Sequence, residues 1–320
     1  MTTGGTRAAL AIDLGGTELR AAVVEETGRV AAFAATSTDA LGGPDAVIEQ
    51  MVALIGTVRA EAPDAEIVGL GVGAPGPLDP DAGIVVAAPT LSGWRDVPLA
   101  AILSERLGVA VQLENDANAA ALGEWRFGAG QGTKSMVFIT VSTGIGGGVI
   151  VDGHLLHGRR GLAGEIGHMT IAAGTERCAC GGVGCWEALA SGTALAREAT
   201  KLVASGTAPA LQRIVGSERV SGRHVAQAAA AGDARSIALL DAEAHWLGIG
   251  LVNLLHLYSP ERLILGGGVG TLLPQLRGTI ERTIHERAMS AFREVPVVGA
   301  ALGRNAGLVG AASLMLEKRP

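Results

Sequence analysis

At 320 residues the chain is longer than a single hydrophobic core usually supports, so two lobes are expected. Hydrophobic residues make up 48% and charged residues 18%, which is typical of a globular protein and excludes a disordered one. The net charge of −6, without any basic run, argues against nucleic acid as a partner. The polar N-terminus and the lack of about 18 consecutive apolar residues predict a cytoplasmic protein with no membrane partner.

The chain begins with strands around a glycine turn. Residues 8–13 form an apolar run that ends in an acid, residues 14–18 form the turn, and residues 19–24 return as a second strand. The next predicted elements are a strand at 30–35, a helix at 44–60, a strand at 67–72 and a helix at 99–107.

A similar unit lies in the middle of the chain, with a strand at 135–141, a glycine turn at 142–148 and a returning strand at 149–151. The two units indicate an internal duplication, with one unit beginning each lobe; two unrelated hairpins are the alternative. Towards the C-terminus we expect a long buried helix at 233–258, a strand at 262–265, a strand at 295–300 and a last helix at about 306–317. Alternating strands and helices predict an α/β protein.

Three glycine segments follow apolar strands and suit the binding of phosphate groups. They are Asp13–Thr17, Ser142–Gly148 and Gly266–Gly268. A backbone that approaches a polyphosphate closely must lack Cβ atoms and point N–H groups at it, and ligands gather where strands end in α/β sheets. The predicted phosphate-binding residues are Asp13, which could also hold Mg²⁺, with Gly15, Gly16, Thr17, Thr143, Gly144, Gly266 and Gly267. The chain has neither a Walker A motif nor a dinucleotide-binding fingerprint.

Asn115 and Asp116 stand where a strand passes into a helix. Helix capping is the simplest explanation of this pair. The functional alternative is that Asp116 accepts a proton from an attacking hydroxyl group, as the carboxylate of a phosphoryl-transfer site does.

The three cysteines of the chain, Cys178, Cys180 and Cys185, lie close together and follow His168. Three thiolates and one imidazole form a closed tetrahedral ligand set, which predicts one structural zinc ion; reduced cysteines without metal are the alternative. Glu165 and Glu187 flank this cluster, and together with Asn115 and Asp116 they suit a ring of sugar hydroxyl groups. The remaining histidines, including His157, are predicted to be ordinary surface or core residues.

These motifs resemble those of the ROK family (repressors, open reading frames and kinases), and within it the bacterial glucokinases. The matching segments run in family order and are Asp13–Thr17, Gly73–Asp79, Glu114–Asn118, Ser142–Gly148, Gly164–His168, Cys178–Glu187 and Asn305–Gly310. Ser142 is a small departure, because such glucokinases usually carry glycine before Thr-Gly.

The resemblance implies an actin-like ATPase (ribonuclease H-like) fold with two lobes. It implies a smaller lobe at residues 1–118, to which a C-terminal helix at about 303–320 returns, and a larger lobe at 119–302 with the zinc site and an adenosine-binding segment. It also implies a homodimer or homotetramer that binds ATP with Mg²⁺. Asp116 is then the catalytic base, His168 also completes the zinc site, and the sugar is bound by Asn115, Glu165, His168, Glu187 and Gly76.

Glucose is the expected hexose, and N-acetylmannosamine, N-acetylglucosamine, mannose and fructose are the alternatives within the same skeleton. The side chains that line the sugar 2-position distinguish these substrates, and spacing along the chain does not locate them. A repressor of the same family needs a DNA-binding segment before the first glycine motif, and none is expected here. A catalytically silent sugar-binding module is a further alternative, which retention of Asp116 and of the three glycine segments argues against.

Overall fold

A computed structural model describes residues 5–316 and divides them into two compact units. The first unit contains the chain up to Gly132, Gly148–Gly164 and the residues from Ala301 onwards, and the second contains Thr133–Gly147 and Glu165–Ala300. The lobe limits at residues 118 and 302 stay predictions from the sequence. Part of the predicted C-terminal helix, residues 317–320, lies outside the described residues.

The elements of the first unit come in two groups. The strands are β1 (Thr6–Leu14), β2 (Glu18–Glu25), β3 (Val30–Ser37), β4 (Ala65–Ala74), β5 (Leu78–Asp79), β6 (Ile84–Ala87), β7 (Arg95–Val97) and β8 (Val111–Asn115), and β11 (His154–Leu155) comes later in the chain. The helices are α1 (Gly43–Glu61), α2 (Leu99–Leu107), α3 (Asp116–Phe127) and α11 (Ala306–Leu316).

The second unit is richer in helices. Its strands are β9 (Met136–Val141), β12 (Arg262–Gly266) and β13 (Val297–Gly299), together with the start of β10 (Ile145–Val151), whose later residues belong to the first unit. Its helices are α4 (Trp186–Ala190), α5 (Gly192–Ala204), α6 (Pro209–Val215), α7 (Gly222–Ala230), α8 (Ala234–Tyr258), α9 (Gly267–Gly270) and α10 (Leu273–Arg287).

The two large sheets have the same plan. The first has the order β3-β2-β1-β4-β8, with β1, β2 and β3 antiparallel and β1, β4 and β8 parallel. The second has the order β11-β10-β9-β12-β13, with β9, β12 and β13 parallel. A hairpin followed by two parallel strands therefore occurs twice in the same sequence of elements. This confirms the predicted α/β class and its internal duplication.

One predicted turn was too long. Residues 142–148 were expected to form it, but β10 already begins at Ile145. The glycines of this strand serve close packing: a Cβ atom on Gly147 would lie 2.7 Å from the carbonyl oxygen of Phe138 and 2.3 Å from Cδ1 of Ile166. The consecutive glycines were predicted to form a turn, because the sequence does not show the contacts that they make with other elements.

The first sheet lies between two helical layers. On one face α1 and α2 bury residues such as Val47, Ile55 and Leu103 against alternate residues of the strands. On the other face Leu308 and Val309 of α11 pack on the remaining strand residues. Side chains of a strand alternate between its two faces, so these two cores use alternating positions of β1.

The backbone of helix α11 packs directly against the backbones of β4 and α3. A Cβ atom on Gly71 of β4 would lie 1.8 Å from the carbonyl oxygen of Ala311, and one on Gly310 would lie 1.6 Å from that of Ala119 in α3. A Cβ atom on Gly123 would likewise lie 2.4 Å from the carbonyl oxygen of Ala306. Only glycine fits at these crossings, so α3, β4 and α11 form one tightly packed group.

A buried carboxylate fixes the chain just before α11. Glu124 of α3 is fully buried, and its two oxygens accept hydrogen bonds from the backbone N–H groups of Ala129 at 2.8 Å, Ala301 at 3.0 Å and Leu302 at 2.8 Å. A buried charge is tolerated when hydrogen bonds satisfy it. Glu124 therefore ties the entry of α11 to the middle of α3.

Helix α8 alone, among residues 5–316, is long and apolar enough to cross a membrane by length and composition. The core helix of a soluble protein passes the same test, and here half of the apolar window is buried inside the structure. Helices α4, α7 and α10 contact α8, and Glu243 is buried within it. These contacts identify α8 as the buried helix predicted at residues 233–258, with Asp233 as its N-cap.

We predict that Gly310→Ala lowers the free energy of unfolding by at least about 2 kcal/mol, because the new methyl group forces α11 away from Ala119. Urea unfolding followed by circular dichroism measures the change. Gly56→Ala is the matched control: this exposed glycine within α1 has no neighbouring atom within 4 Å of a Cβ position. The control should gain about 0.5–1 kcal/mol from its higher helix propensity. A Gly310→Ala protein as stable as the wild type would contradict the close packing.

Candidate functional site

The start of α3 presents the predicted acid. Asn115 has extended backbone angles and caps the helix, with its side-chain oxygen accepting from the N–H groups of Ala117 at 3.0 Å and Asn118 at 3.3 Å. Asp116 is the first helical residue and is half-buried, and one of its oxygens accepts from the Ala117 N–H group at 2.7 Å. The predicted capping role therefore belongs to Asn115.

Glu114 lies beneath this turn and was not predicted as a site residue. Its side chain is 3% exposed. Oxygen Oε1 accepts from the backbone N–H of Asn115 at 2.8 Å and from the side-chain amide of Asn118 at 3.0 Å, while Oε2 lies 2.7 Å from Nε2 of His157. The carboxylate thus holds the peptide that leads into Asp116.

Gly76 lies beside the Asn115 side chain. A Cβ atom on Gly76 would be 3.4 Å from Nδ2 of Asn115, so the two residues are in contact distance. The structure therefore brings together, within the first unit, three of the residues predicted to serve the sugar: Gly76, Asn115 and Asp116. Glu165, His168 and Glu187 belong to the second unit.

The first glycine turn is held by residues that sequence analysis did not single out. Gly15 donates its N–H to the Glu18 carbonyl at 3.0 Å, and Thr38 donates its hydroxyl to the Gly15 carbonyl at 2.7 Å and its N–H to the Thr17 carbonyl at 3.0 Å. Gly16 packs on Thr90, where a Cβ atom would lie 2.9 Å from the threonine Cβ. Thr17 is exposed at the turn.

Asp13 ends β1 and is buried. Its carboxylate pairs with the Arg20 guanidinium and lies against Gly307 of α11, where a Cβ atom would be 2.5 Å from Oδ2. Burial raises the pKa of Asp13 above its usual value, although Arg20 acts in the opposite direction. The proposed contact of Asp13 with a metal–phosphate group stays a prediction.

In the second unit the predicted metal ligands come together. The ligand atoms of His168, Cys178, Cys180 and Cys185 all lie within 4.8 Å of one another. Sγ of Cys180 is 3.7 Å from Sγ of Cys185, and Sγ of Cys178 is 3.7 Å from Nδ1 of His168. Ligands of a tetrahedral ion with metal–sulfur bonds of about 2.3 Å are about 3.8 Å apart, so the four residues fit such an ion.

His168 presents its two ring nitrogens to different groups. Nδ1 points to Cys178, whereas Nε2 is 4.0 Å from a carboxylate oxygen of Glu165. The His168 side chain is 38% exposed. The predicted division of roles, with one nitrogen for a metal ion and the other for the sugar, stays a prediction.

Glu187 links the metal cluster to the second glycine turn. Its Oε1 lies 3.8 Å from Sγ of Cys178, and its Oε2 accepts from the backbone N–H of Ile145 at 2.9 Å. Gly144 is close enough that a Cβ atom there would lie 2.1 Å from Oε2. The α4 segment that carries Glu187 is anchored by Trp186, which is fully buried against Gly250 of α8.

A cavity of about 790 Å³ lies beside this turn, entirely within the second unit. It joins the two predicted phosphate segments, since Ser142 and Thr143 line it together with Gly268. The start of α5 closes one side: Thr193 donates its hydroxyl to the Thr143 carbonyl at 2.7 Å. Gly267, next to the cavity, has φ +77° and leaves no room for a side chain against the Val141 carbonyl.

Sequence analysis missed the cationic side of this cavity. Arg219 and Arg223, from the connection between α6 and α7 and from α7 itself, line it together with Arg197 of α5. Arg197 is paired with Glu198 at 2.9 Å and Arg223 with Glu218 at 3.5 Å, so glutamates partly neutralise these two guanidinium groups. Arg219 adds a third guanidinium group, and such groups suit phosphate oxygens. Neither arginine of the 219–223 segment stands in a glycine motif, so their position depends on the packing of α7 against α5 and α8.

Comparisons with known proteins agree with these motifs. The sequence profile of the ROK family matches residues 9–318. The chain is 35% identical to the glucokinase of Thermotoga maritima over 97% of both chains. A crystal structure of a ROK family glucokinase from Streptomyces griseus in complex with glucose and AMPPNP superimposes with a TM-score of 0.81, at 37% identity, covering 96% of this chain and 98% of that one. The xylose repressor of Bacillus subtilis is 32% identical over 78% of this chain and 62% of its own length.

Proposed function

Because the chain belongs to the ROK family, we propose that it is an ATP-dependent glucokinase that converts glucose and ATP into glucose 6-phosphate and ADP. The observation that carries the proposal is Asp116 at the N-terminus of α3, capped by Asn115, in a chain that matches a glucokinase along nearly its whole length. The Streptomyces griseus enzyme, whose complex contains glucose and an ATP analogue, supports both substrates.

In this proposal Asp116 takes the proton of the attacking sugar hydroxyl. The carboxylate lies on the first turn of α3. The preceding Glu114 carboxylate is already hydrogen-bonded to the Asn115 N–H group and to His157. The residues proposed to bind the sugar are Asn115, Gly76, Glu165, His168 and Glu187. Phosphoryl transfer depends mainly on such positioning and on charge stabilisation, with the base aligning the nucleophile.

We assign ATP to the cavity beside Thr143 and Gly144. Its volume of about 790 Å³ is of the size that holds a nucleotide-like ligand, and its arginines suit the phosphate groups. Gly266 and Gly267 supply backbone without side chains at its edge. Asp13, Gly15, Gly16 and Thr17 are proposed as further phosphate-binding residues. Asp13 would hold Mg²⁺, directly or through water, and the ion would neutralise phosphate charge when bound with ATP.

The Cys178, Cys180, Cys185 and His168 cluster holds one structural Zn²⁺ in this proposal. Four protein ligands complete a tetrahedron, so no position is left for a water molecule that could be activated for hydrolysis. The four ligands would hold the ion, which would fix the segment that carries Glu187 and orient His168. Its contribution is therefore to sugar binding.

A repressor is the second candidate within the family. The match to the Bacillus subtilis xylose repressor covers 62% of that protein, whereas the glucokinase match covers 97% of the Thermotoga maritima enzyme. The near-complete match to glucokinases supports the kinase. We further propose that the protein works in the cytoplasm, in glycolysis, as a homodimer or homotetramer.

The substrate is tested by ADP release from ATP across a panel of hexoses. We expect the highest kcat/KM with glucose and lower values with mannose, fructose, N-acetylglucosamine and N-acetylmannosamine, since each alters the sugar around its 2-position. A higher kcat/KM with one of these four sugars would reassign the substrate within the ROK kinases. ATP turnover that no hexose stimulates would overturn the kinase assignment.

We predict that Asp116→Asn lowers kcat by at least about 10³-fold while glucose still binds, because the amide keeps the shape of the side chain but accepts no proton. Steady-state ADP release gives kcat, and titration calorimetry gives glucose binding. Asp64→Asn, at an exposed position before β4, is the control and should keep wild-type kcat. An Asp116→Asn protein with more than about a tenth of wild-type kcat would exclude Asp116 as the base.

Purified protein should contain one zinc per chain, and Cys185→Ser should lose it. We expect this variant to raise the KM for glucose about 10–100-fold and to change the KM for ATP much less, because zinc orders the segment of Glu187 and His168. Elemental analysis and steady-state kinetics measure the two effects. Replacement of the exposed His285 by Asn should retain the metal. Equal changes in both KM values would show that the metal supports the whole fold instead.

A further inference from the structure

The buried Glu114 carboxylate has a histidine partner on its second oxygen. Its Oε1 is occupied by the Asn115 N–H and the Asn118 amide, and its Oε2 lies 2.7 Å from Nε2 of His157. Glu114 is 3% exposed on its side chain, while His157 is 45% exposed. The histidine therefore covers a buried carboxylate from the surface, which distinguishes the pair from an ordinary exposed ion pair.

His157 lies on the wall of a cavity of about 720 Å³ within the first unit. The charged and titratable groups on that wall are Asp81, Glu114, Arg126, His154 and His157 itself. Asp81 and Glu114 both favour the charged imidazole. Arg126 is engaged elsewhere, since it donates to the carbonyl of Ser313 at 2.6 Å. His154 is exposed, with Nδ1 at 2.9 Å from the Asp152 carbonyl.

We propose that His157 is a positioning residue for phosphoryl transfer, which acts through Glu114 to hold the Asn115 peptide and the first turn of α3 in place. The inference rests on the proposed kinase function, because its effect is on the sugar-binding Asn115 and on the base Asp116. His157 itself touches neither reacting group in this account. Its hydrogen bond to Oε2 fixes the orientation of the carboxylate, and Oε1 then fixes the peptide.

The strength of the hydrogen bond between His157 and Glu114 depends on pH. The hydrogen bond to Glu114 raises the pKa of His157 above 6.5, against the opposing effect of burial. The ion pair is therefore fully formed below about pH 6.5 and is lost as pH rises through the raised pKa. A neutral imidazole can still donate one hydrogen bond, but a charge-assisted bond is about twice as strong as a neutral one. The carboxylate is then held less firmly.

The test compares kcat and both KM values of the wild type, His157→Gln and His157→Arg between about pH 6 and pH 9. We expect His157→Gln to lower kcat/KM for glucose about 3–10-fold near pH 6, with the KM for ATP unchanged and with a smaller difference near pH 9. His157→Arg carries a charge at every pH used. It should restore kcat/KM for glucose and remove the fall that we expect in the wild type as pH rises through the raised pKa of His157.

His154→Gln is the matched control, since this exposed histidine lines the same cavity without contacting Glu114. It should keep the wild-type pH profile. Two results would overturn the inference: a His157→Gln profile that runs parallel to the wild type at every pH, or equal changes in the KM for glucose and the KM for ATP. A simple loss of stability would produce the second result.

A nuclear magnetic resonance titration separates this inference from the kinase assignment. The pKa of the His157 ring, followed through its proton and nitrogen signals, should fall in Glu114→Gln relative to the wild type. If the wild type phosphorylates no hexose but this pKa does fall, the pair exists and only the proposed function fails. If the wild type is an active kinase and the pKa of His157 does not respond to Glu114→Gln, the positioning role is wrong.

Discussion

The backbone contact of α11 with β4 and α3 is the constraint on which the first unit depends. Gly71 and Gly310 let the helix approach to a distance at which any Cβ atom would overlap a carbonyl oxygen. Glu124 locks the chain entering α11 to the middle of α3 with three backbone N–H groups. Since Asp116 begins that same α3, the position of the proposed base follows from packing about two to three turns further along the helix. Close packing transmits such constraints because a tightly packed interior has little room to relax.

The second unit uses a different device for the same purpose. Glu165, His168 and Glu187, the residues proposed to bind the sugar, lie on or beside short helical segments, and the cluster of candidate metal ligands lies among them. Glu187 contacts Cys178 with one oxygen and the Ile145 N–H with the other, so a single carboxylate joins the metal cluster to the glycine turn of the cavity. Trp186, packed on Gly250, ties the same segment to α8. In the proposed function, the residues that bind the sugar and those that bind the nucleotide are thereby connected through Glu187.

Local patterns predicted much of this arrangement. Apolar periodicity gave α8 and α11 almost to the residue, and the clustered cysteines with His168 predicted the group of metal ligands that the structure brings together. Residues that act through tertiary contact were missed. His157 contacts Glu114, which lies 43 positions earlier in the chain, and no local sequence pattern predicts this contact. Arg219 reaches the cavity through the packing of α7, and the glycines of β10 suggested a longer turn because their partners lie on other elements.

Transfer of phosphate from ATP to a hexose hydroxyl is the central claim, and following the γ-phosphate tests it most directly. The protein is incubated with glucose and ATP that carries a radioactive γ-phosphate, and the products are separated and identified. We expect the labelled phosphate on the 6-hydroxyl of glucose, with one labelled glucose 6-phosphate for each ADP formed. The transfer should require Mg²⁺. Label that stays in ATP under conditions where glucose is bound, or that appears as free phosphate irrespective of the sugar, would contradict a sugar kinase.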